Sequence, residues 1–306
     1  MKRLRFLLVG GFGFLGKHLI LHLRQRGHDF TVISRKEPLP PWNECNFVLS
    51  SALDGENIRM LALSHDVLVY MASSSIPGSS TMVYELDNNV RPAVDFCNGI
   101  TEYNPNLNII YLSSGGQIYG NEYATPIRES FECKPISPYA YGKLLIEQSL
   151  AYLHRRKNIK IVVLRVANPV GQWQTGTRQG LVNVAIQCVQ HQKVLSIFGT
   201  GSEVRDYIDA DDVAAVIEMI AESSFQYDVF NVGTGKAVST LEIIHLVESI
   251  FGEQIEKQYL PRRLVDPESA VLDCSKIFNQ YVWSANNDIS SIVLKTIEGK
   301  RKSNIL

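Results

Sequence analysis

Short runs of apolar and β-branched residues recur along this chain of 306 residues and alternate with stretches of helical periodicity. The runs lie at residues 5–9, 30–34, 47–50, 66–71, 108–113, 159–166 and 229–232. None of them alternates apolar with polar side chains, which is typical of strands buried on both faces of a parallel sheet. The intervening stretches 15–26 and 143–154 carry the apolar stripe of a helix. The pattern therefore predicts an α/β fold with a doubly wound parallel sheet.

A glycine-rich turn, GGFGFLG at residues 10–16, lies between the first predicted strand and the first predicted helix. Such a turn lets the backbone approach a pyrophosphate closely, and the helix N-terminus offers unpaired N–H groups and a positive dipole end. We therefore expect a Rossmann-type dinucleotide site, although a plain strand-to-helix turn is the alternative. The expected contacts are Gly10, Gly13, Phe14, Leu15 and Gly16, with Ala72 after the fourth strand.

The basic start MKRLR, followed by FLLVGGFGFLG, imitates a signal peptide. Glycines interrupt this apolar run and no small-residue cleavage site follows, so a targeting role is not expected. The net charge of -1 shows no bias towards nucleic acid or a membrane surface. The five cysteines are scattered without a CxxC pair or a histidine cluster at metal spacing. They predict reduced thiols in a cytoplasmic protein without a metal site.

The alternation of predicted strands and helices changes after Asn168-Pro169. A loop rich in Gln and Gly at 172–180 precedes a predicted helix at 181–191 and a short strand at 194–199. A chain of this length is near the upper limit for one hydrophobic core, so a second domain is expected. We predict a dinucleotide-binding domain at 1–168, to which 205–235 return. A smaller interleaved substrate domain is predicted at 169–204 and 236–306, with a further helix at 240–251.

Ser34, Arg35 and Lys36 follow the second predicted strand, where an acidic residue would bind the ribose hydroxyls of NAD. No carboxylate occurs there, and an arginine at this place accommodates a 2′-phosphate. A solvated basic loop is the alternative. The position favours NADP over NAD as the cofactor.

Tyr139 and Lys143 occur in SPYAYGK, four residues apart at the start of a predicted helix, and therefore share one helical face. An ammonium near a phenol favours the phenolate, so the tyrosine could act as an acid or base near neutral pH. A tyrosine and a lysine at this spacing are also common by chance, and Tyr141 could equally be a packed aromatic.

Several motifs occur in a fixed order: GxxGxxG, DNNV at 87–90, SSGGQIYG at 113–120, SPYxxxK at 137–143, RxxNPVG at 165–171, RDYI at 205–208 and FNVGTG at 230–235. This combination resembles the extended short-chain dehydrogenases/reductases of the NAD-dependent epimerase/dehydratase family. The resemblance extends to about Trp283. It implies an enzyme that acts on a nucleotide sugar.

The resemblance also implies roles for individual residues. Tyr139 and Lys143 would be catalytic, with Lys143 holding the nicotinamide ribose, and Asn89 would support the cofactor. The residues implied for the sugar nucleotide are Ser75, Gln117, Asn168, Arg205 and Arg263. The two arginines suit a pyrophosphate because guanidinium groups bind phosphate oxygens bidentately. Their alternative is a salt bridge, of Arg205 with Asp206 or of Arg263 with Asp266.

One departure from the family pattern concerns Gly115, where a Ser or Thr usually bonds the reacting oxygen. Ser114 or Gln117 is expected to substitute, with Ser114 as the catalytic candidate. Gly116 and Gln117 also replace the acidic pair of the 4,6-dehydratases, so dehydration is not expected.

Two reactions at the sugar C4 atom remain. The basic loop at 34–36 favours NADPH-dependent reduction of a dTDP- or GDP-linked 4-keto-6-deoxyhexose, which we expect. SSGGxxYG and NPVG favour the alternative, a 4-epimerase of UDP-glucose or UDP-N-acetylglucosamine. A catalytically silent NADP sensor is a third interpretation. The resemblance further implies a homodimer formed by the helices after DNNV and from Tyr139, and a place in polysaccharide biosynthesis.

Overall fold

The structure is a computed structural model that describes residues 2–176 and 179–303. Thr177 and Arg178, in the predicted loop 172–180, and residues 304–306 lie outside the described residues. The strands are β1 Arg5–Val9, β2 Asp29–Ser34, β3 Phe47–Leu49, β4 Val67–Tyr70, β5 Asn108–Ser114, β6 Ile161–Val166, β7 Asn168–Val170, β8 Leu195–Phe198, β9 Val204–Arg205, β10 Tyr207–Asp209, β11 Tyr227–Val232, β12 Val238–Ser239, β13 Lys257–Leu260 and β14 Ser269–Ala270.

The helices are α1 Phe14–Arg26, α2 Gly55–Ser64, α3 Met82–Glu85, α4 Arg91–Tyr103, α5 Pro138–Lys157, α6 Leu181–His191, α7 Ala210–Glu222, α8 Thr240–Phe251, α9 Ser275–Tyr281 and α10 Ile289–Lys302. A π-helical turn, Leu86–Val90, joins α3 to α4. The predicted helices at 181–191 and 240–251 have the observed bounds. The predicted helix 143–154 is longer at both ends, and it begins at Pro138, a residue well suited to a first helical turn.

The main sheet has the strand order β11-β6-β5-β4-β1-β2-β3 among the described residues. The pairs β1/β2, β1/β4, β2/β3 and β4/β5 are parallel. Each of the predicted apolar runs forms one strand of this sheet. The predicted α/β fold is therefore confirmed, and the lack of polar alternation has the expected cause, since β4 and β6 are buried along their whole length.

The chain divides into two compact units, each made of segments that are separate in sequence. The first unit comprises 1–113, 138–164 and 214–230. Its core packs side chains of the sheet, such as Leu7, Leu68 and Ile109, against apolar residues of α4 and α5.

The second unit comprises 114–137, 165–213 and 231–306. Its core joins apolar side chains of α6, α8 and α10, among them Ile186, Ile244 and Ile297. Short strands accompany these helices: β13 pairs in parallel with β8, and β10 with β7.

The two units differ from the predicted domains at 114–137, 165–168, 205–213 and 231–235, which belong to the second unit. Sequence order suggested that the chain returns to the main sheet at 205. Instead β10 pairs with β7, and Ile127 forms a bridge with Leu272, so these segments take their partners from the second unit. Only 214–230, which includes part of β11, returns to the first unit.

Among the described residues, no helix has the length and apolar character required to cross a membrane.

Candidate functional site

The glycine turn between β1 and α1 has the close approaches that a pyrophosphate site needs. Gly10 has φ +89°, and a Cβ there would come within 2.8 Å of the backbone N of Ala72. A Cβ on Gly16 would overlap the carbonyl oxygen of Gly11. Gly13 caps α1 without a side-chain hydrogen bond, so the N–H groups of the first turn, at Phe14 and Leu15, remain available to an anion. These residues fit a dinucleotide pyrophosphate.

The loop after β2 presents cations to solvent. Arg35 and Lys36 are exposed, and neither forms an ion pair with any residue in the described ranges. The Ser34 hydroxyl donates to the carbonyl oxygen of Lys36 (2.6 Å) and so holds the loop in a turn. The arrangement suits a phosphate, because a guanidinium and an ammonium group are available without the loss of an existing ion pair.

Tyr139 and Lys143 lie on one face of α5, as the spacing predicts. The ammonium of Lys143 is 5.9 Å from the ring centroid of Tyr139 and 5.1 Å from that of Tyr111. Lys143 is buried, and its Nζ donates to the carbonyl oxygen of Leu112 (2.9 Å). Burial lowers the pKa of Lys143 to about 8, against the attraction of nearby carboxylates. Tyr141, by contrast, is 45% exposed and is not a packed aromatic.

Asn89 ties the π-helical turn to the segment after β4. Its Oδ1 accepts hydrogen bonds from the backbone N–H (2.8 Å) and the hydroxyl (2.9 Å) of Ser74. Its Nδ2 donates to the hydroxyl of Ser75 (3.0 Å) and to Oε2 of Glu85 (2.7 Å). With its amide fully bonded, Asn89 acts on the site by fixing the loop that carries Ser75.

The predicted arginines lie in the second unit and differ from each other. Arg205 donates to the carbonyl oxygens of Val204 (2.8 Å) and Glu268 (3.2 Å), and burial lowers its pKa. Arg263 pairs with Asp266 (2.6 Å) and lies over the ring of Phe198.

The salt-bridge alternative therefore holds for Arg263 but not for Arg205. The Asp206 carboxylate accepts its hydrogen bonds from Thr234, Gly235 and Leu272 instead. No carboxylate in the described part of the chain forms an ion pair with Arg205, so its positive charge is uncompensated at ion-pair distance.

Asn168 begins β7 and is anchored at two points. Its backbone N–H and its Nδ2 both donate to the carbonyl oxygen of Asp206, at 3.0 and 2.9 Å. A Cβ on Gly116 would lie 3.4 Å from this amide, so Asn168 and the SSGGQIYG segment are neighbours within the second unit.

Gly115 is required by its surroundings. A Cβ there would come within 2.7 Å of the carbonyl oxygen of Arg165 and 2.5 Å of Cδ1 of Leu272. The hydroxyl that the family pattern places here has no room. The Oε1 atom of Gln117, which can only accept a hydrogen bond, is buried without a partner among the described residues.

A cluster of His28, Glu218 and Glu222 has the ligand spacing of a metal site. However, Nδ1 of His28 accepts a hydrogen bond from the backbone N–H of Leu4 (3.1 Å), so the proton of the neutral ring is on Nε2, 3.0 Å from Glu218. Glu218 also binds His22 and Arg26. The cluster is an ion-pair network, since Nε2 would have to lose its proton to bind a metal.

Glu85 and Lys300 are among the buried charged residues that the sequence does not indicate. Glu85 is 1% exposed beside Asn89, and Lys300 is 2% exposed near the C-terminal end of α10. A glycine within a helix is the sequence feature that could have drawn attention to these places. Gly142 and Gly299 each precede a lysine in a helix, where glycine costs about 1 kcal/mol relative to alanine.

The chain is similar to known proteins over most of its length. The family model of the NAD dependent epimerase/dehydratase family matches residues 6–233. UDP-glucose 4-epimerase of Lactobacillus helveticus is 26% identical, covering 96% of each chain. dTDP-4-dehydro-6-deoxyglucose reductase of Escherichia coli is 27% identical, covering 90% of this chain and 91% of its own.

Among solved structures, UDP-glucose 4-epimerase of Thermotoga maritima with UDP-glucose superposes with a TM-score of 0.84 at 26% identity. The match covers 98% of this chain and 99% of that one. The family model, which spans both the glycine turn and the Tyr139–Lys143 helix, decides the assignment: this chain belongs to the NAD dependent epimerase/dehydratase family.

Proposed function

We propose that this protein is a nicotinamide-dependent 4-epimerase of a nucleotide sugar, acting on a UDP-hexose. The observation that carries the proposal is the phenol of Tyr139 on the same helical face as the buried ammonium of Lys143. The reductase expected from the basic loop has weaker support, since relatives named as UDP-glucose 4-epimerases predominate over the reductase among the similar proteins. The loop bears on which cofactor binds and does not by itself select the reaction.

The roles of the residues follow from their chemistry. A bound nicotinamide would supply the acceptor and donor of hydride for the C4 position of the sugar. Tyr139 accepts the proton of the C4 hydroxyl during oxidation and returns it during reduction. The ammonium of Lys143 stabilises by Coulomb attraction the phenolate that accepts this proton and that forms again when the proton is returned. The first-turn N–H groups of α1 hold the pyrophosphate of the cofactor.

For the substrate diphosphate we propose Arg205 and Arg263. Arg205 is half-buried and lacks a carboxylate partner at ion-pair distance in the described ranges, so a phosphate can compensate its charge. Arg263 must exchange Asp266 for a phosphate. Breaking this ion pair costs less than breaking a buried one, because the side chain of Arg263 is partly exposed. Asn168, Ser75 and Gln117 are proposed to contact the sugar and its diphosphate.

For the cofactor we propose that Ser34, Arg35 and Lys36 accept the 2′-phosphate of NADP. Support comes from the uncompensated cations of this loop. The test measures dissociation constants of NADP and NAD for the wild type and for Arg35→Ala. We expect Arg35→Ala to weaken NADP by about tenfold or more and to leave NAD unchanged. Equal effects on both nucleotides would contradict the proposal, and Arg59→Ala, an exposed arginine paired with Glu56, is the matched control.

A 4-keto reductase is the second candidate, favoured by the Escherichia coli relative and by the same loop. Two incubations separate the candidates. With UDP-glucose, an epimerase forms the C4 epimer without net change in nicotinamide absorbance. With dTDP-4-keto-6-deoxyglucose and NADPH, a reductase consumes NADPH. Consumption of NADPH without C4 interconversion of UDP-hexoses would replace the epimerase by the reductase.

The third interpretation, a silent NADP sensor, has no need of a tyrosine beside an ammonium. A Tyr139→Phe variant that binds cofactor but has lost turnover would exclude it.

We also propose a homodimer. Support comes from exposed large apolar side chains on α3, the π-helical turn, α4 and α5, namely Val83, Tyr84, Leu86, Tyr103, Tyr141 and Tyr152. Sedimentation should give twice the chain mass, and Tyr152→Asp should shift the equilibrium towards the monomer.

A further inference from the structure

Glu85 is a buried carboxylate to which the proposed reaction assigns no role. It is the last residue of α3 and is 1% exposed. Its Oε1 accepts a hydrogen bond from Ser80 (2.5 Å), and its Oε2 accepts one from Nδ2 of Asn89 (2.7 Å). No cation in the described ranges approaches it to ion-pair distance. Because burying a carboxylate costs several kcal/mol, this charge requires a reason.

Gly142 provides the space for this carboxylate. A Cβ on Gly142 would lie 3.0 Å from Oε2 and 3.3 Å from Cβ of Glu85. Glycine inside a helix costs about 1 kcal/mol relative to alanine, so the chain loses helix stability to bring Glu85 against α5. The residue that follows Gly142 is Lys143.

Four titratable groups surround the ammonium of Lys143. Glu85 faces it from α3, Glu147 from the next turn of α5, Tyr111 from β5 and Tyr139 from the preceding turn. Both carboxylates attract the ammonium and raise the pKa of Lys143 against burial, and the effect of Glu85 is larger than that of Glu147.

We propose that Glu85 is a positioning residue that keeps Lys143 in the ammonium form and fixes the amide orientation of Asn89. The consequence of Glu85 for turnover rests on the proposed function, whereas the effect of Glu85 on the charge of Lys143 does not. With Nδ2 of Asn89 held by Glu85, Oδ1 must face Ser74. One carboxylate therefore acts both on the charge of Lys143 and on the position of the loop that carries Ser74.

The test is an NMR titration of the full chain carrying ¹³C at lysine Cε, with the Lys143 resonance assigned from Lys143→Met. No substrate is added, so the result is independent of whether the proposed reaction occurs. Glu85→Gln should lower the titration midpoint of Lys143 by about one pH unit. Glu147→Gln should lower it less, and Glu56→Gln, an exposed glutamate of α2 paired with Arg59, should leave it unchanged.

Glu85→Asp keeps the negative charge but moves it away from Lys143, because the side chain is shorter. The Lys143 midpoint in this variant should fall between those of the wild type and Glu85→Gln. This variant also tests the proposal if Glu85→Gln does not fold. The alkaline limb of the kcat profile should move with the NMR midpoint. The proposal would be overturned if the Lys143 midpoint of Glu85→Gln equalled that of the wild type. If only Glu85→Asp folds, the same comparison is made with Glu85→Asp.

Discussion

Two buried lysines, Lys143 in the first unit and Lys300 in the second, have similar burial but different surroundings. Burial lowers the pKa of each to about 8. Lys143 has Glu85, Glu147 and two tyrosine rings around it, whereas Nζ of Lys300 donates to neutral acceptors, the carbonyl oxygen of Gln174 (2.5 Å) and Oδ1 of Asn183 (2.9 Å).

Each lysine also follows a helix glycine whose missing side chain leaves room for a polar group. That group is the carboxylate of Glu85 beside Gly142 and the amide of Gln172 beside Gly299. A buried ammonium is therefore not in itself a sign of catalysis. The nearby carboxylates and phenol support the catalytic role proposed for Lys143, whereas the hydrogen bonds of Lys300 join α10 to the segment before α6 and to α6 itself.

The largest effect should separate the two lysines by activity. Lys143→Met and Tyr139→Phe should each lower kcat by about 10²–10⁴-fold, the range for loss of acid–base catalysis. Lys300→Met should leave kcat close to that of the wild type, since its ammonium contacts only structural acceptors. Steady-state kinetics on the active sugar nucleotide measures both. Equal losses in Lys143→Met and Lys300→Met would break the comparison.

The pH dependence of stability should show what the lysines share. An unfolded chain binds a proton on each lysine up to about pH 10.5, whereas the folded chain releases it near pH 8. The cost of burying each ammonium is thus complete below pH 8 and disappears as the pH rises to 10.5. Each amounts to the order of 3 kcal/mol.

Urea unfolding from pH 7 to 10.5 measures this cost. The unfolding free energy of the wild type should rise relative to that of Lys143→Met, and likewise relative to that of Lys300→Met. A difference independent of pH for either variant would show that this lysine titrates normally in the folded state.

The glycines should show the smallest effect. Gly142→Ala and Gly299→Ala should each destabilise the fold by about 1–3 kcal/mol, because the new methyl group meets Glu85 or Gln172. Gly99 of α4 has open space around its Cβ position, so Gly99→Ala should instead gain up to about 1 kcal/mol. Thermal unfolding compares the three. A gain in all of them would mean that neither buried polar group depends on its glycine.

The main sheet could be predicted from the sequence because strands buried on both faces leave a local signal, an uninterrupted apolar run. The boundaries between the two units could not be predicted, since β7, β9 and β10 have at most three residues each and pair with strands distant in sequence. Motif spacing likewise indicated Tyr139 and Lys143, but their surroundings depend on α3, which lies more than fifty positions earlier.

The same limit applies to Gly115. The sequence shows a missing hydroxyl but not the carbonyl oxygen of Arg165 and the side chain of Leu272 that exclude it. The role of Arg263 was equally open from the sequence, because its partner Asp266 is three residues away and a salt bridge at that spacing forms locally.

The most direct test of the account follows the hydrogen at C4. UDP-glucose deuterated at C4 is incubated with the wild type and with Tyr139→Phe, and the products are separated and analysed by mass spectrometry. For the wild type we expect the C4 epimer with deuterium still at C4 and no net consumption of cofactor, and for Tyr139→Phe almost no epimer. Absence of C4 inversion in the wild type, or an undiminished rate in Tyr139→Phe, would contradict the claim that Tyr139 and Lys143 catalyse a 4-epimerisation.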